Sequence, residues 1–264
     1  MTFKFYVISG NKLWALKNAT SRLVFLERKM ELERIIRSQG FGSRPESRVL
    51  IRSGKVTVEG NLCVDPSAEF TPENLNFGVD GMVLKYRKFA YLMLNKPSGY
   101  ECSHKPKFHA SVYSLLPEYL LARGVQAVGR LDEDTTGLLL FSDDGQFIHT
   151  YTSPKKKVSK VYEVSVKQPV DEFQIASLLA GVQLNDEPRP IAAMACELHS
   201  ERVLRLTVTE GKYHLIKRMI AVVGNHVERL NRISIGALSL PNNLLIGNWT
   251  WLEMADQDQL SFRP

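Results

Sequence analysis

Apolar positions change their period several times along the chain, and each change marks an element. From Met30 onward, Leu32, Ile35 and Ile36 recur at helical spacing, and Gly40 and Gly42 end that run. Ser43 caps a second predicted helix, with Pro45 and Glu46 in its first turn and Val49 and Leu50 expected to face inward. Gly54 stops it. Lys55-Val56-Thr57-Val58, the turn Glu59-Gly60-Asn61 and Leu62-Cys63-Val64 read as a β-hairpin. Pro66, Pro72, Asn74 and Gly81 mark the following stretch as a linker, and a larger unit begins near Phe89. Strands are predicted there at 91–94, 137–141, 161–166, 192–198 and 203–208. Helices are predicted at 171–180, where Ile175, Leu178, Leu179 and Val182 follow helical spacing, and at 214–223. Strands outnumber helices without regular alternation, so the fold class expected is α+β with a mixed, largely antiparallel sheet. The expected organisation is a basic extension over 1–29, a small helix–helix–hairpin domain plus linker over 30–88, and the larger domain over 89–264.

Composition narrows the class. The 264 residues are 44% hydrophobic and 23% charged, which suits a globular protein with a proper core and excludes a disordered or collagen-like chain. No apolar run approaches the roughly 18 residues of a membrane-spanning helix. Cys63, Cys102 and Cys196 form neither a CxxC pair nor a disulfide framework, which points to a reducing, cytoplasmic setting. Within 1–29, six basic residues face the single acid Glu27, a balance like that of a targeting peptide but without an obvious cleavage site. Translation is expected to begin at Met30.

The net charge of +6 permits a polyanionic partner, and its distribution is more telling. Arg34, Arg37, Arg44, Arg48, Arg52 and Lys55 lie close together with Glu46 as the one acid between Arg34 and Lys55. Arg44, Arg48 and Arg52 fall at i, i+4 and i+8, one stripe of like charge that costs a few tenths of a kcal/mol per pair. A phosphate backbone would offset that cost; a solvated helix face is the alternative. This segment, through Gly42-Ser43-Arg44 and Ile51-Arg52-Ser53-Gly54-Lys55-Val56-Thr57-Val58, resembles a small RNA-binding domain shared by a small-subunit ribosomal protein and several RNA-modifying enzymes. The resemblance implies RNA contacts from these six cations and Ser43.

Familiar site signatures are missing: there is no GxxxxGK[ST] loop, no GxGxxG after a strand, no HExxH and no GxSxG. The six histidines show no metal-ligand spacing. The most informative stretch is Val128-Gly129-Arg130-Leu131-Asp132-Glu133-Asp134-Thr135-Thr136-Gly137, followed by the apolar run Leu138-Leu139-Leu140. It places a carboxylate at the rim of a core, where partial desolvation makes it reactive if a cation keeps it ionised. From the residues alone, Asp132 is equally readable as a loop cap, or as one of three acids holding Mg²⁺.

Gly-Arg-Leu-Asp-x-Asp-Thr-Thr-Gly resembles the catalytic motif of the pseudouridine synthases, which isomerise uridine in RNA. Asn95-Lys96-Pro97 is similar to their upstream motif, Lys160-Val161-Tyr162 to the segment carrying their active-site tyrosine, and Glu210-Gly211-Lys212-Tyr213-His214-Leu215-Ile216-Lys217-Arg218-Met219 to the segment carrying their basic residue. The motif order and the preceding small domain resemble the RsuA group. The resemblance implies Asp132 as catalytic carboxylate, Tyr162 stacked on the target base, Lys217 as the cation paired with Asp132, and Arg130 filling the gap that the flipped base leaves. It implies no metal and no organic cofactor. Two basic clusters flank this site: Lys155, Lys156, Lys157 and Lys160 before the tyrosine strand, and Lys212, Lys217, Arg218, Arg229 and Arg232 around the last motif. They are expected to meet the RNA backbone, with a solvated face as the alternative; His214 is expected among the RNA-binding residues. Tyr213-His214, Lys217-Arg218-Met219 and Val223-Gly224-Asn225-His226-Val227 resemble the small-subunit enzymes, so 16S ribosomal RNA or a partly assembled small subunit is the expected partner of a monomeric protein. A large-subunit (23S) enzyme and a non-catalytic assembly factor are the alternatives.

Overall fold

Leu32, Ile35 and Ile36 are fully buried on α1 (Leu32–Ser38), as their spacing requires. The computed structural model of the protein describes residues 29–261, so the basic extension lies outside them except for Lys29. Helix α2 (Arg44–Arg52) starts where Ser43 donates from both its amide and its hydroxyl to the Glu46 carboxylate, at 2.7 and 2.6 Å. It buries Ser47 and Ile51, four residues apart, and this turns Val49 outward, 67% exposed. The inward position expected for Val49 belongs to Ile51, about half a turn away.

The predicted hairpin forms from β1 (Val56–Val58) and β2 (Asn61–Leu62), with Glu59 and Gly60 both at positive φ, the geometry of a tight hairpin turn. It is one side of a four-stranded sheet. The stretch read as a linker supplies β3 (Asn76–Val79) and β4 (Met82–Lys85), in the order β2-β1-β3-β4. Leu75, Phe77 and Val79 complete the core under α1 and α2. Gly78 hides this strand by breaking its alternation; a Cβ there would lie 2.4 Å from the Thr57 hydroxyl on β1.

The larger sheet contains β5 (Tyr91–Lys96), β6 (Thr136–Ser142), β7 (Lys160–Val166), β8 (Ala195–Ser200), β9 (Val203–Val208), β10 (Val227–Ile235) and β11 (Trp249–Trp251). Their order is β8-β9-β7-β10-β6-β5-β11, with Gln126–Ala127 added on β6 and Leu238–Ser239 on β10. Every pairing in it is antiparallel except β6 with β10. A mixed, largely antiparallel α+β architecture is therefore what the chain adopts. Strand β8 begins later than expected, at Ala195, because Ile191 first bridges Val182. Helices α3 (Glu118–Ala122), α4 (Gly145–Thr152), α5 (Glu172–Ala180) and α6 (Leu215–Val222) pack around the sheet. Leu178 of α5 and Met219 of α6 share one core with Leu206 of β9; Leu120 of α3 shares another with Leu139 and Phe141 of β6.

One arginine staples the two sheets' modules together. Arg123, its side chain 3% exposed, donates to Asp143 (2.8 Å), to Gln39 (2.9 Å) and to the Arg87 carbonyl (3.0 Å). Beside it Phe41 stacks on Tyr119 at 5.4 Å. No helix among the described residues is long and apolar enough to cross a membrane, and Cys63, Cys102 and Cys196 are free thiols.

Candidate active site

The start of β6 organises the site. Leu131 is buried in the core beneath the loop, and the Thr135 amide donates to the Asp132 carbonyl at 3.1 Å, closing a turn around the acidic triplet. Lys96, at the end of β5, is wholly buried and donates to the carbonyls of Pro97 (3.0 Å), Glu133 (3.1 Å) and Thr135 (2.9 Å). These three carbonyls stand in for water around its charge and fix the loop's shape. Gly137 has φ +100°, and a Cβ there would come within 2.3 Å of the Arg232 carbonyl on β10. Only glycine allows the parallel strands to approach at this point.

Asp132 opens into a cleft of about 480 Å³ whose lining includes Arg130, Tyr162, Lys160, His214 and Arg232. A volume of that size accommodates a nucleoside. Two cationic or protonatable groups bracket the carboxylate: His214 Nε2 lies 3.5 Å from Oδ1, and Lys217 Nζ lies 3.5 Å from Oδ2. The pairing expected between Lys217 and Asp132 is thus shared. Lys217 sits closer to Asp134, at 2.6 and 2.8 Å from its two oxygens. An ammonium is a point charge that can serve two carboxylates at once, where an arginine fork would commit to one. Burial raises the Asp134 pKa, but the hydrogen bond and charge of Lys217 outweigh it and hold the carboxyl below its usual range. Burial works in the same way against Lys217, and Asp134 with Asp132 overcomes it, so the ammonium titrates above its ordinary value.

His214 reaches Asp132 because it is the residue before α6 and adopts a left-handed backbone, φ +48°. Its ring stacks on exposed Tyr213 with centroids 3.7 Å apart. Expected among the RNA-binding residues, it faces the Asp132 carboxylate within the cleft. Arg218, expected in the same role, pairs with Asp186, and Lys212 pairs with Glu187 and Glu210. Both are held against an acidic loop.

Tyr162 lies mid-strand on β7, half-buried between two apolar clusters, and lines the cleft. Arg130 is exposed at the mouth. Lys155, Lys156 and Lys157 are exposed, as expected of surface cations, but Lys160 is half-buried and donates to the Val158 carbonyl at 3.0 Å. Burial, with the charge of Arg232 beside it, pushes its ammonium down to about 8. Arg232 is no surface cation either: it is 2% exposed and its Nε donates to the Leu138 carbonyl at 2.8 Å.

The cations of α1 and α2 divide into two groups. Arg44 and Arg48 do not repel across an empty stripe, because both turn to Glu33, at 2.6 and 3.0 Å, a carboxylate only 6% exposed. The compensating anion is therefore supplied by α1 itself. Lys55 pairs with Asp80 at 3.1 Å, and the Ser43 hydroxyl is spent on Glu46. Arg34, Arg37 and Arg52 are exposed.

The sequence offers Asp134 only as a candidate Mg²⁺ ligand and Lys96 only as part of a motif; their roles as the partner of Lys217 and as the buried brace of the loop come from the structure. For Lys96 a signal exists: a lysine directly after an apolar strand, where burial has to be matched by carbonyls. For Asp134 there is none, since its partner lies 83 positions away. Among the described residues, no group of three or more His, Cys, Asp and Glu side chains is placed to hold a metal ion, and the Asp134 carboxylate is taken by Lys217.

Known proteins share both the sequence and the fold around this cleft. Residues 90–222 match the family model of the RNA pseudouridylate synthases. The chain is 39% identical to "Ribosomal small subunit pseudouridine synthase A" of Salmonella typhimurium over 221 residues, covering 83% of this chain and 95% of that protein. It is 37% identical to "Uncharacterized RNA pseudouridine synthase YtzG" of Bacillus subtilis over 224 residues, covering 83% and 93%. A solved structure titled "Crystal structure of pseudouridylate synthase" superposes with a TM-score of 0.62 at 33% identity, covering 88% of this chain and 99% of that one. The chain belongs to the RNA pseudouridylate synthase family and is an isomerase of the RsuA type.

Proposed function

We propose that the protein converts a uridine of small-subunit (16S) ribosomal RNA to pseudouridine, acting as a monomer in the cytoplasm on the RNA or on a partly assembled subunit. The observation that carries this reading is Asp132, held in a nucleoside-sized cleft between His214 and Lys217. The similarity to proteins named small-subunit synthases supports the choice of RNA.

Uridine must leave its ribose at N1 and rejoin it through C5, with no redox change. In this reading Asp132 promotes cleavage of the glycosidic bond, and the Lys217 ammonium supplies the positive charge that faces it in a partly dry site. Flipping the base out of its stack costs a few kcal/mol. Stacking on Tyr162 returns about 1–3 kcal/mol, and Arg130 occupies the vacated space at the mouth. Residues 30–88 serve as the RNA-binding domain and 89–264 as the catalytic domain. Contacts from Arg34, Arg37 and Arg52 carry the electrostatic part of binding; Ser43, Arg44, Arg48 and Lys55 shape the surface that presents them.

Pseudouridine mapping of both ribosomal RNAs from a deletion strain tests the substrate. Loss of one small-subunit pseudouridine, restored by the wild-type gene, is expected. Loss from the large-subunit RNA alone would overturn the choice of target.

A further inference from the structure

The floor of the cleft holds two cations that the mechanism above does not use. Arg232 is almost wholly buried, and one terminal nitrogen of its guanidinium has no hydrogen-bond partner. Lys160 lies beside it, half-buried. Among the described residues neither makes an ion pair with a carboxylate. Two desolvated neighbours of like charge without an anion are costly, and such an arrangement calls for a ligand that brings negative charge.

The strand geometry aims both groups at the same place. Tyr162 on β7 pairs with Arg232 on β10, while Val161 pairs with Ser234 and Lys160 with Ile235, so β10 carries one extra residue between these pairs. Without that bulge, Arg232 and Ile235, three residues apart, would face opposite sides of the sheet. With it, both line the cleft alongside Lys160 and Tyr162. Bulges that re-aim a side chain are found beside active sites.

Resting on the proposed isomerisation, we propose that Lys160 and Arg232 form a cationic clamp for the departing uracil, taking up the negative charge it acquires during bond cleavage. The N1–C1′ bond breaks with its electron pair passing to uracil, where the charge spreads over N1, O2 and O4. When C5 bonds to C1′, that pair returns to the sugar; C5 then gives up its proton and N1 gains one. Fixed cations at the carbonyl oxygens are worth most at the moment of greatest charge, and a stacked base on Tyr162 brings its edge toward them. An RNA phosphate is the competing anion.

The test compares, at single turnover, the rate at which the target nucleoside disappears from a small-subunit RNA transcript containing uridine and from the same transcript made with 5-fluorouridine, whose fluorine stabilises the uracil anion. Because the fluorinated base has no C5 proton to give up, loss of the parent nucleoside rather than pseudouridine formation is read for both. Nucleosides are separated chromatographically after digestion. Lys160→Met and Lys160→Gln are expected to slow the uridine transcript by about a hundredfold and the fluorinated one by about tenfold or less, with RNA affinity within about twofold of wild type. Lys160→Arg restores most of the rate. Equal losses on both transcripts, or RNA binding weakened about tenfold, would make these groups phosphate contacts and overturn the clamp while leaving the isomerisation intact. Wild-type protein inert on both transcripts would overturn the underlying function and the clamp with it.

Discussion

Lys217 stands nearer to Asp134 than to Asp132: its ammonium is 2.6 Å from one and 3.5 Å from the other. Asp134 thereby holds the lysine in place while Asp132 keeps an open face toward the cleft. A single strong pair would have tied up the Asp132 carboxylate; the shared cation leaves it accessible. Replacing Lys217 with Ala is expected to lower the single-turnover rate by about a hundredfold with little change in RNA affinity. Measured Kd rising in proportion to the loss of rate would contradict this division of labour.

The same pair sets a pH dependence. Asp134 has a lowered pKa in the folded protein, so its contribution to stability is present above the unfolded value of 3.8 and is lost as pH falls through the lower folded value. Lys217 has a raised pKa, so its contribution is present below 10.5 and lost as pH climbs through the higher folded value. Urea titrations of wild type and Asp134→Asn should therefore differ near neutrality and converge toward acid pH. A constant gap down to the acid limit would show that the pair does not stabilise the loop.

The cations of the small module separate into structural and free groups. Converting both Arg44 and Arg48 to Ala leaves Glu33 buried without a partner, and about 2–3 kcal/mol of stability should be lost. Converting Arg34, Arg37 and Arg52 to Ala should instead leave denaturation midpoints unchanged. RNA binding should weaken, and the slope of log K against log salt should flatten by about 0.7 for each phosphate no longer neutralised. An unaltered slope would place the RNA-binding surface elsewhere.

Gly137→Ala tests the strand crossing. The new methyl would press on the Arg232 backbone at a positive φ, and a loss of about 3 kcal/mol is expected in chemical denaturation. Arg123→Ala should cost a similar amount, about 3 kcal/mol, by leaving Asp143 partly buried and unpaired. A smaller loss at Arg123 than at an exposed arginine would show that the two modules are joined by something else.

Much of the site is legible in the sequence because chemistry and periodicity coincide there. The apolar run from Leu138 to Leu140 marks a buried strand, and the polar loop before it places Asp132 at a rim; motif resemblance then supplies Tyr162 and Lys217. Helices α1 and α6 follow their apolar spacing closely, whereas α5 buries Leu178 but leaves Leu179 exposed and ends before Val182, which bridges Ile191 instead. What stays hidden depends on pairings across long sequence separations. Glu33 gives no sign that it neutralises Arg44 and Arg48 from the neighbouring helix. Arg232 looks like one more basic residue in a charged strand, and only the bulge opposite Tyr162 turns it into the cleft. Strand β3 escapes the pattern because Gly78 interrupts the alternation that would announce it.

The most direct measurement sets purified wild-type protein beside Asp132→Asn on a small-subunit ribosomal RNA transcript and on partly assembled small subunits, following both binding and pseudouridine formation. The two proteins are expected to bind alike, with pseudouridine formed by the wild type alone. Equal product from both would contradict the account, since the reaction would then not depend on the carboxylate at its centre.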